Sequence, residues 1–308
     1  MNVSATQASR REIPRADFGR VTVFFGEKNG KYPDANQVIV RGADTQVAFD
    51  TPITANHIGP EFEASDMVIL GHVHEDHMAG LHLLPDVPVH VHEADLAAAQ
   101  SWEGLRAAYG SDESYVDKML AKFKRDFFYA PRPDAIGYSD GAVWDLGQSR
   151  VRAIHLPGHT AGHCALLVEP EGVAFIGDID LSGFGPYYGD ASSSLADFRR
   201  SLTRVAEIPA KVWVTSHHRG VYTDHEKFLG DLAAYSATLD ARDKRLTDLL
   251  RQSPKTIAQL VECRLLYPPG HQDLWVVDAE TRSISMHLAE MLADGRVQTD
   301  ENGIYRLG

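Results

Sequence analysis

Short apolar runs closed by turn residues recur along the first two thirds of the chain. Residues 21–25, 37–40 and 46–50 read as early strands, with the turn-rich stretch 26–34 between the first two. The run 67–70 reads as a buried strand, and 87–91 as another. Later strands are expected at 151–154, 173–176 and 212–214. Residues 93–135 differ in texture. Their alanine-rich start and the spacing of Tyr115, Met119, Phe123 and Phe127 predict amphipathic helices inserted between the strands. Leu195, Phe198, Leu202 and Val205 mark a further helix, capped by the serines 192–194. From Phe228 to Leu250 the periodicity is that of one long helix or a pair. After the break at Ser253-Pro254 come a helix over 256–267, a Pro-Pro-Gly loop, a helix over 283–293 and a hairpin turning at Asn302-Gly303. The pattern alone predicts a mixed α/β fold, and the order of its elements fits a sandwich of two sheets with helices outside. It divides into a main unit over 1–225, containing the helical insertion 93–135, a connecting helix over 226–253 and a small C-terminal unit over 254–308.

Chemistry enters where the strands end. His72, His74, Asp76 and His77 leave the run 67–70 within six residues, alongside Glu75. Imidazole nitrogens and carboxylate oxygens are the donors that borderline divalent ions such as zinc prefer. In an extended segment His72 and His74 point to the same side and can share one ion, while the following turn carries Asp76 and His77 toward a second. A solvated polar loop is the plainer reading, but it leaves the density of ligands against a core strand unexplained. His159, Asp178 and His217 follow three later strands, in positions where a rigid sheet can fix loop chemistry.

In order and spacing these residues resemble the metallo-β-lactamase superfamily pattern His-x-His-x-Asp-His, then His, Asp and His, across roughly residues 20–225. The Pro-Gly-His-Thr-x-Gly-His form around His159 is similar to the glyoxalase II branch. The resemblance implies an αβ/βα sandwich in which His72, His74 and His159 hold one ion, Asp76, His77 and His217 hold another, and Asp178 bridges them. The ions would be zinc, with iron or manganese as alternatives. It also implies a dinuclear hydrolase that cleaves a small ester, thioester or lactone through a metal-bound hydroxide, with Asp76 and Asp178 catalytic. His163 is expected to support the ligands from behind or to pack in the core, and Asp180 to be a loop residue. His218 competes with its neighbour His217 for the last ligand position. Tyr187 and Tyr188, in the loop after Asp178, are candidate donors to a developing oxyanion. The insertion 93–135 is a candidate lid, its aromatics lining an acyl pocket or packing in the core.

Two further functions stay in view. A mononuclear iron thiol or persulfide dioxygenase resembles the same histidine pattern, and the C-terminal unit resembles a winged helix that could read nucleic acid. Charge argues against the latter. The chain has 30 basic and 43 acidic residues, a formal net charge of −13, and its segment 241–308 has nine basic and ten acidic residues. Phosphate binding needs a basic stripe. The expected partner is thus a small acyl substrate rather than nucleic acid or membrane, with a homodimer considered for the helical surfaces. Cys164 and Cys263 are far apart and read as small hydrophobes, not as a disulfide or metal pair. No apolar leader stands at residues 1–11, and no apolar stretch is long enough to span a bilayer, so a cytoplasmic location is expected.

Overall fold

A computed structural model describes residues 13–110 and 113–308, with the side chains of 113–115 also outside the description. The side chain of Tyr115 and the stretch 1–11 therefore lie outside the described residues. Seven strands form the first sheet: β1 (Arg15–Phe18), β2 (Val21–Phe24), β3 (Gln37–Arg41), β4 (Gln46–Phe49), β5 (Met67–Ile69), β6 (Val89–His92) and β7 (Ile136–Tyr138), in that spatial order. The first four pair antiparallel. From β4 to β7 the pairing is parallel. Strand β1 was not foreseen. Its sequence Arg-Ala-Asp-Phe sits at the sheet edge with no buried position, so it lacks the apolar run that marks the others.

The second sheet orders β13 (Val221–Tyr222), β12 (Val212–Val214), β11 (Val173–Phe175), β10 (Cys164–Glu169), β9 (Arg150–His155) and β8 (Val143–Asp145). Apolar side chains from both sheets fill the space between them: Val23, Val38, Phe49 and Ile69 meet Val151, Cys164, Leu166, Phe175 and Val214. Each sheet also has an apolar outer face. The first is covered by α3 (Leu96–Gln100), α4 (Trp102–Tyr109) and α5 (Glu113–Asp126), whose Met119 and Phe123, with the following Phe127, are buried in that core. The second is covered by α6 (Leu195–Ala206), α7 (His225–Gln252) and α9 (Val276–Ala293). The result is an αβ/βα sandwich, with the two short helices α1 (Ala55–Ile58) and α2 (Pro60–Glu63) beside β4. As expected, Ser194 caps α6, accepting from the Asp197 amide at 3.2 Å.

The stretch that could be one helix or two is a single 28-residue helix, α7. Its first half packs Phe228, Leu232 and Leu239 onto the second sheet, and its end packs Leu246 and Leu250 into a separate C-terminal core. That core also holds α8 (Ile257–Glu262), α9 and a small sheet of β14 (Lys255–Thr256), β16 (Ile304–Leu307) and β15 (Val297–Thr299). Helix α8 ends sooner than its apolar pattern suggests, whereas α9 begins at Val276 rather than Ser283 because Val276, Ala279 and Glu280 are buried against neighbouring elements. The hairpin turns at Asn302-Gly303, with Gly303 at φ +71°. Among the described residues no helix is long and apolar enough to cross a membrane.

Candidate metal centre

Four chain segments emerge at one edge of the sandwich. The loop His72–His77 follows β5, the loop holding His159 joins β9 to β10, Asp178 follows β11 and His217 follows β12. Because β11 and β12 are parallel, their ends open on the same side. The Cys164 amide donates to the Gly71 carbonyl at 2.8 Å and ties the two sheets together there. Asp95, placed after β6, joins two ligand loops by accepting from the Val73 and Gly162 amides and the Thr160 hydroxyl.

All seven residues singled out as ligands converge in two groups that meet at Asp178, and Asp50 makes a third close set with His72 and His77. In the first, His72 Nε2 lies 3.2 Å from His74 Nδ1, which lies 3.1 Å from His159 Nε2. Asp178 Oδ2 is 3.2 Å from His159 Nε2 and 3.9 Å from His72 Nε2. In the second, His217 Nε2 is 3.2 Å from Asp76 Oδ2, and His77 Nε2 is 3.7 Å from Asp76 Oδ1. The other oxygen of Asp178, Oδ1, faces this group, 3.1 Å from His77 Nε2 and 3.5 Å from His217 Nε2. Metal–ligand bonds of roughly 2.0–2.1 Å in a tetrahedron put ligand atoms about 3.3 Å apart. Both groups have that spacing.

The outer hydrogen bonds show which ring nitrogens carry lone pairs inward. His74 Nε2 donates to Asp190 Oδ2 at 2.9 Å, and His159 Nδ1 donates to the Tyr187 carbonyl at 2.9 Å. His77 Nδ1 bonds Asp50 Oδ2 at 2.7 Å, while His217 Nδ1 donates to the carbonyls of Gly30 and Asp34. With these outer nitrogens protonated and the rings neutral, as ligation requires, His74 Nδ1 and His159 Nε2 face each other as acceptors. Inside the cluster, the buried atoms His77 Nε2 and Asp178 Oδ1 have no hydrogen-bond partner. A cation between them would satisfy both conflicts, so the donor set fits divalent ions.

Electrostatics points the same way. Burial opposes a charge on His74, but the bond and charge of Asp190, with Glu75 and Asp76, outweigh it and hold its pKa up at about 9. Asp178 and Asp76 raise His77 and His217 well above the usual range against the same burial cost. Against burial, His217 and His77 in turn keep Asp178 ionised. The protein builds a buried negative field that attracts protons when no ion is bound.

His163 sits behind the candidate ligands. Its Nε2 accepts from the Asp178 amide at 3.1 Å and its Nδ1 donates to the Leu156 carbonyl at 3.1 Å. His218 is one-third exposed and turned toward Asp180, 3.6 Å away, outside both ligand groups. Asp180 lies in the loop after β11. The tyrosines part company. Tyr187 borders the centre, its ring 5.9 Å from that of His159 and its hydroxyl 3.3 Å from Asp190 Oδ1. Tyr188 is fully buried on the opposite side, where its hydroxyl donates to His287 Nε2 at 2.7 Å and accepts from Arg242 at 2.9 Å. That geometry turns Tyr188 away from an oxyanion role. Cys164 is buried, Cys263 partly so, and neither joins a ligand group.

Sequence reasoning passed over Asp50, Asp95 and Asp190. Asp50 directly follows β4 in a left-handed conformation, φ +52°, which Asp tolerates better than most residues. An aspartate at a strand end was a readable signal. It also passed over Glu75, buried between two ligands, which accepts the hydroxyls of Tyr32 at 3.0 Å and Tyr109 at 2.5 Å.

Over residues 66–217 the chain matches the family described as the metallo-beta-lactamase superfamily. It is 28% identical over 198 residues to acyl-coenzyme A thioesterase MBLAC2 of Homo sapiens, an alignment covering 56% of this chain and 68% of that protein. To the hydroxyacylglutathione hydrolase of Methylococcus capsulatus it is 29% identical over 136 residues, 44% of this chain and 51% of that enzyme, so it spans about half of the latter's length. The crystal structure of metallo-beta-lactamase family protein TTHA1429 from Thermus thermophilus aligns with a TM-score of 0.66 at 25% identity, covering 89% of this chain and 94% of that one.

Proposed function

We propose, for a chain that carries a metallo-β-lactamase superfamily domain over residues 66–217, a hydrolase that binds two divalent ions, zinc foremost, and cleaves the acyl–sulfur bond of a thioester. The observation that carries this reading is Asp178, whose two carboxylate oxygens face two different sets of ligand atoms. The second set, Asp76, His77 and His217, favours two ions over the single iron of a dioxygenase. When bound, a pair of divalent ions lowers the pKa of water toward neutrality and polarises a carbonyl oxygen.

The chain's own residues supply the rest. Asp178 and Asp76 stay ionised against burial, because His217 and His77 favour their charged forms. Asp178, between the ligand sets, accepts a hydrogen bond from the attacking water and so orients it. In this reading Tyr187 donates to the oxyanion, which is supported by its long bond to Asp190, 3.3 Å, one that can be exchanged for a bond to substrate. The substrate class draws on the relatives' names, which speak of acyl-coenzyme A and hydroxyacylglutathione, both acyl groups on thiols. Esters and lactones present the same carbonyl and should react more slowly.

A panel of acyl thioesters, aryl esters and lactones, assayed with protein loaded with zinc, iron or manganese, tests the proposal. It expects the highest kcat/KM on a thioester, abolished by chelation and restored by metal. Failure to hydrolyse any of the panel in a sample shown to hold both ions would sink it.

A further inference from the structure

Two of the three histidines of the first ligand group take their orientation from one irregular loop, 184–190, between β11 and α6. Asp190 Oδ2 accepts from His74 Nε2 at 2.9 Å, and the Tyr187 carbonyl accepts from His159 Nδ1 at 2.9 Å. The same loop is fastened from behind. Arg242 of α7, 5% exposed, donates to the carbonyls of Pro186 at 2.6 Å and Phe184 at 2.7 Å, and to the Tyr188 hydroxyl at 2.9 Å. His287 of α9 accepts from that hydroxyl at 2.7 Å and bonds Asp243 through Nδ1 at 2.5 Å. Arg282 of α9 donates to the Gly189 carbonyl at 3.1 Å, and a methyl group on Gly189 would stand 2.5 Å from Ala279 Cβ, so helix and loop touch. An irregular loop must find partners for its buried carbonyls. Here α7 and α9 provide them.

We propose that Asp190, with Arg242 and His287 behind it, is a positioning residue of the His72/His74/His159 site, so that the fastening of loop 184–190 by the C-terminal helices sets the metal affinity of that site and not of the other. The second group is oriented independently, by Asp50 on His77 and by the carbonyls of Gly30 and Asp34 on His217. None of these contacts passes through the loop. Asp190 accepts the proton on His74 Nε2, which keeps the lone pair of Nδ1 facing the ligand group and makes that nitrogen a better donor. Removing such outer partners lowers metal affinity about 10–100-fold. The inference rests on the two-ion reading above and adds a control to one half of it.

The test uses the full chain and zinc titration against a competing chelator, with each site isolated by a ligand substitution: His217→Ala leaves the first group, and His159→Ala leaves the second. Far-UV circular dichroism checks that each variant folds. Asp190→Ala is expected to weaken zinc binding about 10–100-fold in the His217→Ala chain and less than about twofold in the His159→Ala chain. Asp190→Asn keeps an acceptor for His74 and should recover most of the loss. Arg242→Met should weaken the first site in the same selective way. Equal losses at both sites, no loss from Asp190→Ala, or no recovery with Asn would overturn the inference while leaving the two-ion reading intact. An unmodified chain that takes up no zinc would instead overturn that reading.

Discussion

Gly177, between β11 and Asp178, holds the bridging candidate in place, and Gly177→Ala measures how tightly. The residue has φ +54°, where a side chain costs roughly 1–2 kcal/mol. An added Cβ would stand 2.6 Å from His163 Nε2, well inside contact distance. His163 cannot retreat freely, since it is fully buried and its Nε2 accepts from the Asp178 amide at 3.1 Å. Moving it away unpairs that amide, a loss of about 1–3 kcal/mol for a buried donor. The sum is a destabilisation of about 2–5 kcal/mol. Gly141→Ala is the matched control, because Gly141 has φ +79° but no atom within 4 Å of the added methyl. It should cost only the backbone term, about 1–2 kcal/mol. Urea unfolding of both variants in excess chelator gives the comparison without metal linkage. Equal costs for the two substitutions would refute the claim that His163 buttresses Asp178.

Further outcomes follow from the same contacts. Asp178→Asn should fold yet lose at least about a hundredfold in thioester hydrolysis even in excess metal, as read by steady-state kinetics at confirmed occupancy. Tyr188→Phe should cost about 1–3 kcal/mol in urea unfolding, by unpairing His287 and Arg242, while kcat measured at confirmed metal occupancy falls less than it does in Tyr187→Phe. Tyr187→Phe should do the reverse, lowering kcat about tenfold or more with metal content unchanged. Burial and the neighbouring His159 push the His163 pKa down to about 3. Unfolded, it returns to about 6.5, so its contribution is complete above that pH and is lost as pH falls through the window, by up to about 1.4 kcal/mol per unit. The stability gap between the chain and His163→Asn should therefore shrink from about pH 6.5 to about 5.5, and a constant gap would contradict the assignment.

The inward-facing candidate ligands were legible because they lie in loops that follow apolar runs, and a strand end is fixed by the sheet behind it. Their outer partners were not. His217 is oriented by the carbonyls of Gly30 and Asp34, more than 180 residues away in sequence, and a backbone carbonyl has no side-chain signature. Asp190 lies 116 residues from His74, in a loop whose path depends on Arg242 and α9. Tyr187 and Tyr188 look alike in sequence, yet neighbouring residues of an irregular loop face opposite ways. Packing alone sends one to the metal ligands and the other to His287. The start of α9 was misjudged for a related reason: its buried residues include Glu280, whose carboxylate accepts the Leu265, Leu266 and Tyr267 amides, and a buried glutamate breaks the apolar periodicity.

Ions per chain, counted by native mass spectrometry on zinc-loaded protein, test most directly whether Asp178 joins two metal sites. The unmodified chain and His218→Ala should each hold two, and His217→Ala should hold one, because His217 faces Asp76 and Asp178 whereas His218 faces Asp180. A single ion in the unmodified chain, or loss of an ion from His218→Ala with both retained in His217→Ala, would contradict the account.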